Sequence, residues 1–372
     1  MSLDRFRQNV VKPDYLLVFI VFILAIFGLI MIYAASAYTA EKSFGDSAYY
    51  FHKQFKSFGI GIIVWFIFSK IDYRFWRKNA HIMLLITLVT LIAVFIPRLG
   101  LKLEGASRWI SVGPIFFQPA ELAKLFFTIY LAAWLAKKGE GIRDFQSGVF
   151  PFAVIVGLVA FLIIKQPDMG SMSVIAFISA ILFIVAGATW QHISFGIVSC
   201  FAFFLFLIKS APYRFQRLLT FLNPSGQELG ASYHINQSLM GIGSGGLLGV
   251  GFGKSFQKLY YLPQAQTDSI FAIIVEELGF IRALIVVIAF ILISWRGLRI
   301  AKNAPDEFAR LLVVGIVSWI MIQAFINISA MLGVMPLTGI PLPFVSYGGS
   351  SLVILLGAIG ILTNISKQAD RS

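Results

Sequence analysis

Apolar residues fall in long blocks separated by short polar gaps, and the block length sets the architecture. A helix needs about 17–25 apolar residues to cross roughly 30 Å of hydrocarbon. Ten blocks approach or meet that requirement: Tyr15–Ala35, Phe58–Ile71, Ala80–Ile96, Pro119–Ala136, Val149–Ile164, Ser171–Ala188, Ile193–Ile208, Ser269–Trp295, Leu311–Leu332 and Ser351–Ile365. The second is short. The sixth and seventh are split only by Thr189-Trp190-Gln191-His192, which predicts a tight hairpin. The pattern predicts an all-α polytopic membrane protein of ten transmembrane helices. A large extracytoplasmic loop, about 210–267, lies between helices 7 and 8. An outer loop from Gly333 to Gly349 lies between helices 9 and 10. All 372 residues read as a single transmembrane domain, 1–372.

Composition agrees. The chain is 58% hydrophobic and 13% charged, against roughly 45–50% and about 25% in soluble domains. The net charge of +13 would raise nucleic acid as a partner in a soluble protein. Here the cations sit mostly in short loops, where anionic headgroups and topology explain them. With the N-terminus inside, the inner segments hold 16 of the 30 Lys and Arg, the outer segments hold 12, and Lys124 and Arg282 lie within spans. Four of the outer charges, Arg214, Arg217, Lys254 and Lys258, belong to the long loop, which counts little toward orientation. Both termini are therefore predicted cytoplasmic, with an uncleaved first helix after Arg5, Arg7 and Lys12. Cys200 is the sole cysteine, so no intrachain disulfide or cysteine metal site is possible.

The stretch from Tyr260 to Gly279 joins the long loop to the eighth span and places Asp268 at the boundary between water and hydrocarbon. A carboxylate there suits chemistry on a lipid headgroup. Glu276, Glu277 and Arg282 follow within the span, which argues against a helix that faces lipid alone. Glu121 and Lys124 in Pro119-Ala-Glu-Leu-Ala-Lys share one helical face. They read equally as an ion pair between helices and as the lining of a cavity. Asp168 in Gln166-Pro-Asp-Met-Gly-Ser either caps the sixth helix or joins Lys124 in one polar cavity. Arg108 beside Trp109 suits a phosphate at the interface or a plain interfacial anchor. Arg214 and Arg217 open the long loop in a basic amphipathic stretch that suits pyrophosphate or anionic lipid.

The glycine runs do not bind nucleotides. Gly241-Ile-Gly-Ser-Gly-Gly matches a dinucleotide fingerprint in letters, but no strand precedes it and no βαβ unit follows. Gly249-Val-Gly-Phe-Gly-Lys-Ser is one residue short of a P-loop. Tight turns and close backbone approach account for both. The uncharged segment Pro336 to Gly349 forces irregular backbone, which membrane depth tolerates only against protein or a watery cavity. It is predicted to be re-entrant. His52, His81, His192 and His234 have no metal-ligand spacing, and no Ser/His/Asp set is visible.

Together these residues resemble the SEDS family, polytopic polymerases of peptidoglycan glycan strands. The collinear matches are Gly105-Ala-Ser-Arg-Trp, Gln118-Pro-Ala-Glu-Leu-Ala-Lys, Gln166-Pro-Asp-Met-Gly, Gln237-Ser238-Leu with Gly241-Ile-Gly-Ser-Gly-Gly, Leu262-Pro with Thr267-Asp268, Glu276-Glu-Leu-Gly, and Pro341-Leu-Pro-Phe-Val-Ser346-Tyr-Gly-Gly. They cover essentially the whole chain. The segment from Gly251 to Pro263 is nearer the division-type, FtsW-like branch than the elongation-type, RodA-like one. The chain departs from the family's usual residues at Gln264, Gln266, Ser269 and Arg282.

The resemblance implies joining of lipid II units with release of undecaprenyl pyrophosphate, in septal wall synthesis at the bacterial inner membrane. Asp268 is the implied catalytic base. Arg108, Glu121, Lys124, Asp168, Arg214, Arg217, Gln237, Ser238, Lys258 and Ser346 are the implied substrate-binding set. A divalent cation, Mg or Mn, held by Asp268 and the pyrophosphate is compatible with this chemistry, and the residues do not show one. The implied partners are an FtsI-like class B penicillin-binding protein and other membrane proteins of the divisome. Two rivals stand beside the enzyme: a transporter that flips the lipid-linked precursor along Glu121, Lys124, Asp168 and Arg282, and a non-catalytic scaffold.

Overall fold

A computed structural model of the chain describes residues 12–97, 99–103, 106–112, 115–209, 231–259 and 261–369, with positions 215 and 221 alone. Helices lie over all ten apolar blocks, with two sharing the eighth. In chain order the helices are α1 (Tyr15–Phe44), α2 (Tyr49–Lys70), the short α3 (Tyr73–Lys78), α4 (Ala80–Ala93), α5 (Pro119–Lys138), α6 (Phe150–Lys165), α7 (Met169–Val185), α8 (Trp190–Lys209), α9 (Ala231–Gly245), α10 (Ile270–Leu278), α11 (Phe280–Lys302), α12 (Glu307–Met331) and α13 (Gly349–Gln368). Among the described residues, six segments are long and apolar enough to cross a membrane: α1, α5 with the turn after it, the segment from Phe145 through α6, α11, α12 and α13. The helices α4 and α7 are apolar but shorter.

Helices α5, α12 and α13 form the buried centre. Helix α13 is inward-facing along nearly its whole length, from Ser351 to Ser366. It packs on α2, whose buried positions Gln54, Gly61, Trp65 and Ser69 fall on one helical face. Small residues let the two backbones approach, as is usual where helices meet in lipid. The opposite faces of α2, α4 and α11 expose Ile60, Ile63, Phe66, Leu85, Val89, Ile285 and Ile288. Apolar side chains on the outside and polar ones inside is the pattern of a bundle solvated by hydrocarbon.

Polar ties mark both ends of the bundle. At the end carrying Asp14 and Ala369, here the proximal end, Arg296 grips Asp14 with a fork: Nε and Nη2 donate to Oδ2 at 2.9 and 2.6 Å. The Asp14 amide donates to Ser366 Oγ at 3.1 Å. At the distal end, Gln54 Nε2 donates to the Ser346 carbonyl at 3.3 Å, and Gly348 N donates to Gln54 Oε1 at 3.1 Å.

Three expectations are corrected. The chain is not purely helical, because the loop between α4 and α5 folds as a three-stranded antiparallel sheet: β1 (Gly100–Leu103), β2 (Ala106–Val112) and β3 (Ile115–Phe117). Its register pairs Gly100 with Ile110 and Ile110 with Phe117. The second span is a full helix of 22 residues, since Tyr49 to Ser57 continues it with polar and aromatic residues that a hydropathy window discounts. The eighth span is two helices, α10 and α11, broken at Gly279, whose φ is +82°.

The break has a cause in the glycine run. The chain after α9 passes so close that a Cβ on Gly249 would stand 2.3 Å from the Glu277 carbonyl oxygen, and one on Gly279 would stand 2.4 Å from Gly249 N. The two backbones then satisfy each other. Phe280 N and Ile281 N donate to Gly246 O and Leu247 O at 3.0 and 3.3 Å, while Val250 N and Gly251 N donate to Glu276 O and Glu277 O at 2.9 and 3.1 Å. The orphan groups that a helix end leaves are therefore paired on both sides of the break. The expected close backbone approach at the glycines is what the structure shows.

Candidate active site

Asp268 ends a partly exposed turn and is itself buried, 7% exposed, two residues before α10, which is buried from Ile270 to Glu277. Thr267 Oγ1 lies 3.1 Å from its Oδ1. Its carbonyl accepts a hydrogen bond from Asn327 Nδ2 at 2.7 Å, and the same amide nitrogen reaches Ile340 O at 2.8 Å. One side chain of α12 therefore holds the aspartate turn and the irregular 333–348 segment together. A Cβ on Gly339 would stand 3.9 Å from Asp268 Oδ2, so that segment forms one wall beside the carboxylate.

One turn below, Gln323 repeats the device. Its Nε2 donates to Pro341 O at 2.9 Å. Its Oε1 accepts from Lys124 Nζ and from Trp319 Nε1, both at 2.8 Å. Lys124 also donates to Glu121 Oε1 at 2.7 Å, and both side chains are essentially sealed from solvent. Removing a charge from water costs several kcal/mol unless it is paired and hydrogen-bonded. The Lys124 ammonium is matched by one carboxylate and one amide. This buried network supports Pro341, and through it the wall beside Asp268.

Helix geometry places these groups. Asn327 lies 20 residues beyond Glu307, about 30 Å along α12 at 1.5 Å per residue, so Asp268 sits at the distal end. The 333–348 segment dips inward. A Cβ on Gly28 would stand 2.5 Å from Phe344 O, and Gly28 is 14 residues from Asp14, only about 21 Å along α1. The segment returns to the distal end at Tyr347, whose amide donates to Gln266 O at 2.9 Å.

Asp168 lies across that segment from Asp268. It caps α7, accepting from Ser171 N at 2.9 Å, and takes Gln118 Nε2 at 3.3 Å. The cap reading holds. Its carboxylate is bonded to Ser171 and Gln118, whereas Lys124 pairs with Glu121 and Gln323. A Cβ on neighbouring Gly170 would stand 3.0 Å from Thr338 O, which ties the Asp168 turn to the same wall.

Other sequence-derived candidates serve as braces. Arg108 donates to the carbonyls of Gln166 and Pro167, which fastens β2 to the turn before α7. Lys258 Nζ donates to Gly253 O at 2.6 Å and to buried Glu277 at 2.9 Å. Glu276 accepts from Phe256 N at 2.9 Å and from the Ser255 hydroxyl. The two glutamates therefore anchor the 250–258 turn rather than facing a ligand. Arg282 is exposed on the first turn of α11 and donates to Leu248 O at 3.2 Å, so it lies outside any central path. Ser238 donates to His234 O and packs on Met331, and Ser346 accepts from Leu342 N at 2.7 Å. Gln237 is half-buried on α9. Arg214 and Arg217 lie outside the described residues.

The hydropathy pattern passed over Gln323 and Asn327, although amides four residues apart in an apolar span put two polar groups on one inward face. Among the described residues, no three His, Cys, Asp or Glu side chains converge as a metal set. A divalent ion at Asp268 would need substrate oxygens and water to complete its shell.

The comparisons cover nearly the whole molecule. Residues 14–371 match the model of the FtsW/RodA/SpoVE family, described as cell cycle protein. Stage V sporulation protein E of Bacillus subtilis is 42% identical over 358 residues, 96% of this chain and 98% of that one. The probable peptidoglycan glycosyltransferase FtsW of Geobacter metallireducens is 37% identical over 361 residues, 97% of this chain and 96% of its own. The crystal structure of the rod shape determining protein RodA of Thermus thermophilus superposes with a TM-score of 0.73 at 26% identity, over 98% of this chain and all of that one. A chain from a peptidoglycan synthase complex, described for its coordination of polymerization and crosslinking, superposes at 0.79 with 26% identity over 96% of this chain and 98% of its own. With sequence match and fold agreeing from end to end, the chain belongs to the FtsW/RodA/SpoVE family, the group its motifs resemble.

Proposed function

We propose that this protein is a peptidoglycan glycosyltransferase that joins lipid II units at the outer face of the bacterial inner membrane, with Asp268 as general base. The observation that carries the reading is the placement of Asp268. Its main chain is pinned by α12 and its carboxylate lies beside a re-entrant wall, in a family whose relatives bear the glycosyltransferase name. The distal end is read as extracytoplasmic and both termini as cytoplasmic, with ten spans, from the distribution of Lys and Arg.

The step is a displacement at the donor sugar. Asp268 takes the proton of the acceptor 4-hydroxyl as that oxygen bonds to the donor's anomeric carbon. The bond from that carbon to undecaprenyl pyrophosphate breaks, and its electron pair leaves with the pyrophosphate. One positioned carboxylate is worth roughly 10²–10⁴-fold. Cationic help for the leaving group falls to Arg214 and Arg217, since Arg108 and Lys258 are bonded to carbonyls and to Glu277.

A septal role with an FtsI-like class B penicillin-binding protein as partner is supported by the FtsW names among the relatives and by the structural likeness to a synthase complex. A sporulation-stage role is the second reading, favoured by the 42% identity to a protein named for that stage. Depletion separates them: filaments for division, rounding for elongation, failed spores with normal growth for sporulation.

Asp268→Asn is expected to abolish polymerisation of purified lipid II while the protein still inserts and melts normally. Product ladders at the wild-type rate from that variant would end the assignment. Lipid II crossing liposomes without polymer would transfer it to the transporter.

A further inference from the structure

We propose that His234 is a positioning residue for Asp268, acting through Ser269. The inference rests on Asp268 being the base. His234 lies half-buried on α9, and its Nε2 is in hydrogen-bond contact with Ser269 Oγ. Ser269 is fully buried and directly follows the aspartate. The serine hydroxyl also lies 2.9 Å from Pro263 O. A carbonyl can only accept, and a hydroxyl has one proton to give. Ser269 therefore donates to Pro263, and the imidazole donates its Nε2–H to Ser269.

This chain of bonds closes the Pro263–Asp268 turn at its base and ties it to α9. On the other side, Asn327 of α12 holds the Asp268 carbonyl. The peptide between Asp268 and Ser269 is thus held from two helices that meet it from different directions. The helix α9 is a firm mount: one turn on, Ser238 is buried against Met331 of α12. Thr267 and the Gly339 wall flank the carboxylate itself, but neither ties the Pro263 end of the turn to a helix. His234 does, through Ser269. Loss of its donor unties the Ser269–Pro263 end of the turn from α9, while Asn327 and the Tyr347 N–Gln266 O bond still hold its other side, and the carboxylate shifts off the acceptor hydroxyl. A displacement of about 1 Å at a reacting group is enough to lower turnover on the order of 10²-fold.

The test uses the full chain in lipid nanodiscs, with lipid II as substrate, and reads turnover, KM and hydrogen exchange of the 261–271 segment. His234→Phe fills similar space without a donor. His234→Gln places an amide N–H near the position of Nε2. Ser269→Ala removes the acceptor. The expected result is a loss of 10- to 100-fold in kcat for His234→Phe and for Ser269→Ala, with KM within about twofold. The double variant is no worse than either single one, because one linkage is broken once. Exchange of 261–271 rises in each, and His234→Gln restores both readouts. The proposal is overturned by unchanged exchange in His234→Phe, by faster exchange with unchanged kcat, by a loss confined to KM, or by a glutamine variant as poor as phenylalanine. A wild-type chain that makes no polymer removes the functional reading, and the exchange data then decide the linkage alone.

Discussion

At the scale of single residues, the site depends on side chains that never meet solvent. Lys124 is sealed between Glu121 and Gln323. Breaking such a pair by removing one partner costs about 3–5 kcal/mol, because the other charge is left buried alone. Lys124→Met should therefore lower the melting temperature sharply. Replacing both charges, Glu121→Leu with Lys124→Met, should recover most of that loss, since apolar groups of similar volume need no partner. Thermal melts of the three proteins in one detergent check the ordering. A double variant as unstable as Lys124→Met would mean that the charges contribute something other than mutual compensation. The sequence showed this pair as two charges on one helical face, but it could not show Gln323. Gln323 pairs along the chain only in spacing, with Asn327, and neither amide's partner on another element is visible there. Its role appears only when α5 and the 333–348 segment are brought against α12.

At the scale of elements, the helices were legible because hydrocarbon thickness dictates apolar run length, and six segments among the described residues are long and apolar enough to cross a membrane. The two features that shape the site were not. The break at Gly279 is set by the crossing chain at Gly249, about thirty residues earlier, and a continuous apolar run reads as one helix. The sheet β1–β3 carries alternation too short to separate from a loop. The glycine run was recognised as a place of close approach, though not what it approaches. Gly279→Ala tests that joint. Positive φ alone costs a side chain about 1–2 kcal/mol, and Gly253→Ala, at φ +76° with open space around it, should show that cost and little more. At Gly279 the new Cβ would also meet the backbone of Leu248 and Gly249 at 2.4 Å, and backbone cannot rotate away. Gly279→Ala should lower the melting temperature well below Gly253→Ala or prevent recovery of folded protein. Equal melting of the two would show that the α10–α11 break is not locked by the crossing chain.

At the scale of the whole molecule, polar ties gather at the two ends and leave the middle to apolar packing. Asp14, Arg296 and Ser366 join α1, α11 and α13 at the proximal end. Gln54 and the 346–348 backbone join α2 to the head of α13 at the distal end. The two sets are separated by nearly the length of a helix, about 30 Å for the 20 residues of α13. A protein that works at one face has reason to keep its clamps independent. Asp14→Leu leaves the Arg296 guanidinium, largely buried, without its carboxylate, and should cost about 1–3 kcal/mol of stability or somewhat more. Asp14→Leu with Arg296→Met should recover much of it. Neither change should alter kcat for lipid II, because Asp268 is held by Asn327 and Thr267 at the far end. Melting curves and polymerisation rates on the same samples separate stability from turnover. If turnover falls in the double variant while its melt stays near wild type, the proximal clamp is coupled to the site, and α1 is the path to examine: it touches Arg296 through the residue before its first turn and the re-entrant wall at Gly28.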